Sequence, residues 1–105
     1  MADFMKILQQ AQEMQGKFAQ LQEELKRQTV AGASGGGMVR VEANGQGTIH
    51  SIKIDPSLLV SADVEMLEDL VLVAVTEAQR KATEAGQAEM GKLTGGLNLP
   101  FKLPF

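Results

Sequence analysis

His50 is the only imidazole in this chain, and there is no cysteine. Nucleophilic catalysis would therefore need a hydroxyl with His50 as its base. His50 alternates with Ile52 and Ile54, which puts it at a packed or rim position on a sheet, and no nucleophile, acid triad partner or second imidazole accompanies it. Glu65, Glu68 and Asp69 bring three carboxylates close together, the raw material of a divalent-cation site. Without a histidine or a ligand-bearing loop they read instead as the solvated face of a helix. Gly35-Gly36-Gly37 has the composition of a phosphate cradle. It lacks the Lys-Ser or Lys-Thr that closes a nucleotide loop, and it opens a strand rather than a helix. The expectation is a protein that is not an enzyme, with no catalytic, metal or cofactor residues.

The basic residues are a different matter. Lys17, Arg27 and Lys81 each have an acid four positions earlier (Glu13, Glu23 and Glu77), so ordinary helix-surface pairing accounts for them. Lys6, Lys26, Arg80 and Lys92 have no such acid. These four, with Lys81 beside Arg80, are the candidate phosphate contacts, although each taken alone also fits a solvated surface cation. Phosphate contacts supply affinity without sequence information. The net charge of −3 argues against a polyanionic partner only as a sum. Residues 1–27 carry four bases and four acids, whereas 61–69 carry four acids and no base. The acidic excess thus sits where a helix N-terminus favours it, and two copies would double any basic track. With no Trp or Tyr, and Phe confined to the first helix and the tail, no aromatic is placed to stack on an unpaired base. No helix-turn-helix spacing appears.

The elements that must carry these residues show in the periodicity. Phe4, Ala11, Phe18 and Leu25 form one column of a seven-residue grid, and Ile7, Met14 and Leu21 form the other. That is a three-heptad seam on a helix from about Asp3, a capping residue, to Arg27, roughly 37 Å long. The period then changes to two. Strands are expected at Thr29–Ala33, Met38–Ala43 and Thr48–Ile54, joined by the glycine run and by Asn44-Gly45, with Gly47 adding slack or a bulge. A second long helix starts near Ser61 or Asp63 and runs to about Met90. Leu67, Leu70, Val71, Ala74, Ala78, Ala82 and Ala85 form its inward stripe, widened in the first half by Met66, Val73 and Val75. A helix apolar over so much of its circumference is covered on more than one side. The sheet takes one side, and Leu70, Val71, Val73, Ala74 and Val75 are the residues expected to meet a second copy. The fold class is α+β: long helix, three-stranded antiparallel meander, long helix, dimerising with projecting helical arms. A single small core, no disulfides and no metal cluster make self-association the natural source of added stability.

The order of segments resembles a known family. The first helix, Gly35-Gly36-Gly37-Met38-Val39-Arg40-Val41, Asn44-Gly45, Ile54-Asp55-Pro56-Ser57-Leu58-Leu59 and Glu65-Met66-Leu67-Glu68-Asp69-Leu70 together are similar to the YbaB/EbfC family. The similarity spans nearly the whole chain, including the proline-and-phenylalanine tail. What it implies is a bacterial nucleoid-associated protein, a homodimer whose paired helices project like tweezers and bind double-stranded DNA with low sequence selectivity.

Residues 1–96 form the expected single domain, and 97–105 form an apolar tail. Leu99-Pro100-Phe101 and Leu103-Pro104-Phe105 repeat one tripeptide around Lys102. Either the tail straps its own dimer, or it docks on another protein. The longest apolar run, Leu70–Val75, is too short for a bilayer, no charged-then-apolar leader opens the chain, and the lack of cysteine suits a reducing compartment. The expected location is the cytoplasm, at the nucleoid, with no membrane partner. The rival reading is a protein-interaction adaptor in DNA metabolism whose DNA association is weak or indirect.

Overall fold

A computed structural model describes residues 2–61 and 63–95; the tail over 97–105 lies outside the described residues. Along the chain come α1 (Ala2–Arg27), β1 (Thr29–Ser34), β2 (Val39–Asn44), β3 (Ile49–Ile54), α2 (Pro56–Ser61) and α3 (Val64–Gly95). The α+β order of helix, antiparallel meander and long helix matches the expectation. The molecule measures 71 × 24 × 17 Å. A head, made of the sheet and the first half of α3, continues into an arm made of α1 and the second half of α3.

The head is built on small residues. The sheet has strand order β1-β2-β3, all antiparallel. Alternation along β2 turns Val39, Val41 and Ala43 to one face, where they are fully buried against Ala74 and Ala78 of α3. Gly32, placed opposite Val41, brings β1 under the same helix. A Cβ there would stand 2.5 Å from the backbone nitrogen of Ala78 and closer still to the carbonyl oxygen of Ala74. Glycine and alanine together therefore set how near helix and sheet approach. The Ser34 hydroxyl fastens the far end of β1 by donating to the Leu70 carbonyl.

The turns differ in part from expectation. Gly35, Gly36 and Gly37 all take positive φ in a short 3₁₀ turn, which only glycine adopts without strain. The strand β1 contains Gly32 and Ala33 as expected and extends one residue further, to Ser34. Asn44-Gly45 joins β2 to β3 as expected, but neither residue has positive φ; Gly47 does. Gly45 is instead pressed against α1, donating its N–H to the Leu25 carbonyl at 2.8 Å. The buried Asn44 side chain shapes this turn, its Oδ1 accepting from the backbone N–H groups of Gln46 (2.9 Å) and Thr48 (3.0 Å). The pairing slips between Glu42 and Ala43, so Ala43 faces Ile49, and His50 is the extra, exposed residue of a bulge.

One element was not expected. Asp55-Pro56 follows β3 directly and opens α2. Asp55 Oδ1 accepts from the Ser57 N–H at 2.9 Å, and proline suits the first helical position. Those hydrogen bonds from Ser57 hold the Asp55 carboxyl below its ordinary value. Leu58 of this short helix closes the core. Asp63 caps α3 in the same manner, accepting from the Met66 N–H at 2.7 Å.

The arm follows from the order of contacts between α1 and α3. Ala82, Thr83 and Gly86 lie beside Gln22 and Leu25, whereas Leu93 lies beside Ile7, Ala11 and Met14. The two helices are antiparallel, and α1 continues past the end of its neighbour. The heptad seam is accordingly covered at one end only. Leu21 and Leu25 are 6% and 4% exposed, while Phe4 and Ile7 are 63% and 62% exposed.

Candidate nucleic-acid interface

The five candidate cations fall at three places. Lys6 lies near the free end of α1, Lys26 in its last turn, and Arg80, Lys81 and Lys92 on the second half of α3. Two of the sequence arguments need correction. Arg80 and Lys92 were selected because no acid precedes them by four, yet both are paired. Arg80 Nη1 lies 2.6 Å from Glu84 Oε1, four residues later, and Lys92 Nζ lies 3.3 Å from Glu89 Oε1, three earlier. Lys81 pairs with Glu77 at 3.3 Å as expected. In contrast, Lys17 and Arg27, set aside as partnered by Glu13 and Glu23, form no ion pair among the described residues.

Lys17 is the residue that sequence reasoning passed over. It shares a groove of about 330 Å³ with Lys92, on a floor of Leu21 and Leu93, with Glu24 and Glu89 at the side. Eleven residues make almost three whole helical turns, about 16 Å along the axis. Lys6 therefore lies on the same side of α1 as Lys17, and Lys81 on the same side of α3 as Lys92. The same periodicity sets Glu24, seven residues after Lys17, on that side of α1 too, and Glu13 lies beside Lys17, so lysines alternate with carboxylates along the arm. Lys26 points to the opposite side of α1, and Arg80 lies about 100° round α3 from Lys81. The ion pairs on α3 do not remove their cations from use. The Arg80–Glu84 pair is 59% and 58% exposed, and such a surface pair is worth only about 0–1 kcal/mol; the Lys92 side chain is 74% exposed, although that of Glu89 is only 17% exposed. An approaching phosphate can displace the carboxylate.

The acids of the head are separate from this line. Glu65, Glu68 and Asp69 are all exposed and border one shallow depression in the first turns of α3, at the other end of the molecule. No group of three histidine, cysteine or acidic side chains among the described residues is placed to hold a metal ion. No described helix is long and apolar enough to cross a membrane.

The five residues expected to meet a second copy divide. Ala74 is wholly buried under its own sheet and has no surface to offer another chain. That expectation is corrected: Ala74 belongs to the stripe of α3 that faces the sheet, which is distinct from the stripe that faces outward. Leu70, Val71 and Val75 are half-buried at the edges of the core, and Val73 is exposed. Val71 and Val75 lie on the flank of α3 away from Gly32 and β1, the flank overlooking β3. There Ile52, which shares the inner face with Val41, is left 47% exposed. Leu72, which the sequence argument omitted, joins Val73 on the outer face.

Comparison with known proteins gives this geometry a context. Residues 1–97 match the model of the YbaB/EbfC DNA-binding family. A nucleoid-associated protein of Gemmatimonas aurantiaca is 48% identical over 103 residues, covering 98% of this chain and 99% of the relative. One from Desulfotalea psychrophila is 49% identical, covering 93% and 92% respectively. The crystal structure of an uncharacterized protein from Helicobacter pylori superposes with a TM-score of 0.80 at 29% identity, covering 88% of this chain and 97% of that one.

Proposed function

The chain belongs to the YbaB/EbfC DNA-binding family, and from that premise we propose that it works at the nucleoid as a homodimer holding double-stranded DNA by its phosphates, with little sequence selectivity. The observation that carries this reading is the groove on the arm that Lys17 and Lys92 share, with Lys6 and Lys81 eleven residues away on the same sides of α1 and α3. The arm is long, narrow and free of aromatic side chains apart from Phe4 and Phe18 of α1. It is therefore equipped to follow a backbone and poorly equipped to read base edges. A second copy would supply a second arm, and the apolar corner of Val71, Val75 and Ile52, with Leu72 and Val73 on the outer face, offers the surface to join them. Stacking of bases, catalysis and metal chemistry have no part in this account.

The adaptor reading keeps one specific support. Three of the five sequence-selected cations are already paired with carboxylates, and the exposed acids of the head repel a polyanion. The salt dependence of duplex binding by Lys17→Ala and Lys92→Ala variants separates the two. If both arms of a dimer touch the backbone, each substitution removes two contacts and lowers the slope of log K against log salt by about 1.8. Arg80→Ala, on another side of α3, leaves the slope close to wild type. Slopes unchanged in the two lysine variants would refute the arm as the DNA surface, and binding only through an added protein would favour the adaptor.

A further inference from the structure

We propose that residues 97–105 of this chain bind back on its own α1 as an extended strap, covering the apolar tip formed by Phe4, Met5, Ile7, Leu8 and Ala11. The tip is a contiguous apolar surface without cover among the described residues. Phe4, Met5, Ile7 and Leu8 are all exposed. On a helical wheel these five positions span an arc of about 160°, wider than the seam one partner helix fills. A cover that wraps suits such an arc better than a straight helix from another copy.

The chain is delivered to this tip. The helix α3 runs antiparallel to α1, and Leu93 near its end faces a groove of about 450 Å³ whose floor includes Ile7, Ala11 and Met14. The following residues therefore leave α3 beside the middle of the stripe. Phe4 lies only about 10 Å from Ala11 along the axis. Ten residues in extended form reach about 33 Å, which leaves length to cross the stripe obliquely and wrap the tip.

The pattern of the tail fits the task. Every odd position from 97 to 105 is apolar (Leu97, Leu99, Phe101, Leu103, Phe105), whereas the even ones are Asn98, Pro100, Lys102 and Pro104. An extended chain with this period presents one continuous apolar edge. The prolines restrict Leu99 and Leu103 to extended conformations and remove two N–H groups that a strap outside any sheet would leave unpaired. Gly95 and Gly96 supply the freedom needed to redirect the chain from the end of α3.

The test uses the full chain, whose lack of cysteine makes a single nitroxide at Lys102→Cys unambiguous. Lys102 falls on the outward edge of the strap, so the label leaves the contact in place. In isotope-labelled protein the oxidised nitroxide is expected to remove more than half the amide signal of Phe4–Ala11, with recovery on reduction and no effect on β3. In a mixture of nitroxide-bearing unlabelled chains with isotope-labelled chains lacking nitroxide, those signals stay intact, because the strap acts within one chain. Loss of signal in the mixture would overturn the proposal in favour of a strap from another copy. Undisturbed signals at Phe4–Ala11 in the first sample would overturn it outright. As a second readout, Phe101→Ser/Phe105→Ser raises binding of an apolar dye several-fold over wild type at unchanged helix content; unchanged dye binding counts against the strap.

Discussion

Gly32→Ala tests whether the head is held together by close approach. The added methyl group would lie 2.5 Å from the Ala78 nitrogen, closer to the Ala74 carbonyl oxygen and 3.1 Å from the Glu77 Cβ. Two of these three neighbours are backbone atoms of α3, which no rotamer change can move aside. Relief requires lifting the helix from β1 and so loosening Ala74 and Ala78 from Val39 and Val41. Overpacking of a methylene costs about 1–3 kcal/mol, and the backbone obstacle puts this case at the upper end. Replacing glycine by alanine within a strand returns about 0.5–1 kcal/mol. The net expectation is destabilisation of about 2 kcal/mol, equivalent to a fall of about 1 M in the urea midpoint for a domain of this size. Chemical denaturation followed by circular dichroism, at one fixed chain concentration for both proteins, measures it. Gly16→Ala is the control: it lies mid-helix with nothing within 4 Å of its added Cβ, and it should stabilise by about 1 kcal/mol. A midpoint for Gly32→Ala equal to or above wild type would refute the close packing of β1 on α3.

Further expectations concern the turn, the caps and the titration of Asp55. Asn44→Ala leaves the N–H groups of Gln46 and Thr48 without their acceptor and should lower stability by about 1–3 kcal/mol in the same denaturation assay. Asp63→Ala removes the acceptor for the Met66 N–H and should cost about 1 kcal/mol, with faster hydrogen exchange confined to the first turn of α3. The Asp55 carboxyl is held below its ordinary value by the Ser57 hydrogen bonds. Its contribution is therefore present above the unfolded-state value and lost as pH falls through the folded one. Carboxyl chemical shifts should show Asp55 titrating below the ordinary aspartate value, and an inflection at or above that value would contradict the cap.

Much of this fold is legible in the residues, because long regular elements repeat their signal. Three heptads identify α1, and alternation of Val39, Val41 and Ala43 identifies the central strand. Short or singular features carry no such repetition. The helix α2 is too brief to show a period, although Asp55 is its cap and Pro56 its first helical residue. Gly32 gives no local sign that a helix will press on it. A single bulge shifts the phase of β3, exposing His50 where alternation alone would pair it with Ile52. The candidate interface is less legible than the fold. An acid four residues upstream is only one of the spacings at which a helix pairs a base, and Arg80 and Lys92 take partners at others. Lys17 became a candidate only once α3 had folded back to set Lys92 beside it. Stripes meeting the sheet and stripes facing outward are separated by about 100° on one helix, which a list of apolar positions does not resolve; hence Ala74.

The central claim is that DNA is held by backbone charge along paired arms. Titrating the purified protein onto two unrelated duplexes at several salt concentrations, with the mass of the free protein measured in the same buffers, tests it most directly. The account predicts a dimeric mass, similar affinity for both duplexes and binding that weakens steeply with salt, losing about 0.9 in log–log slope for each phosphate engaged. A monomeric mass, or affinity indifferent to salt, would contradict it.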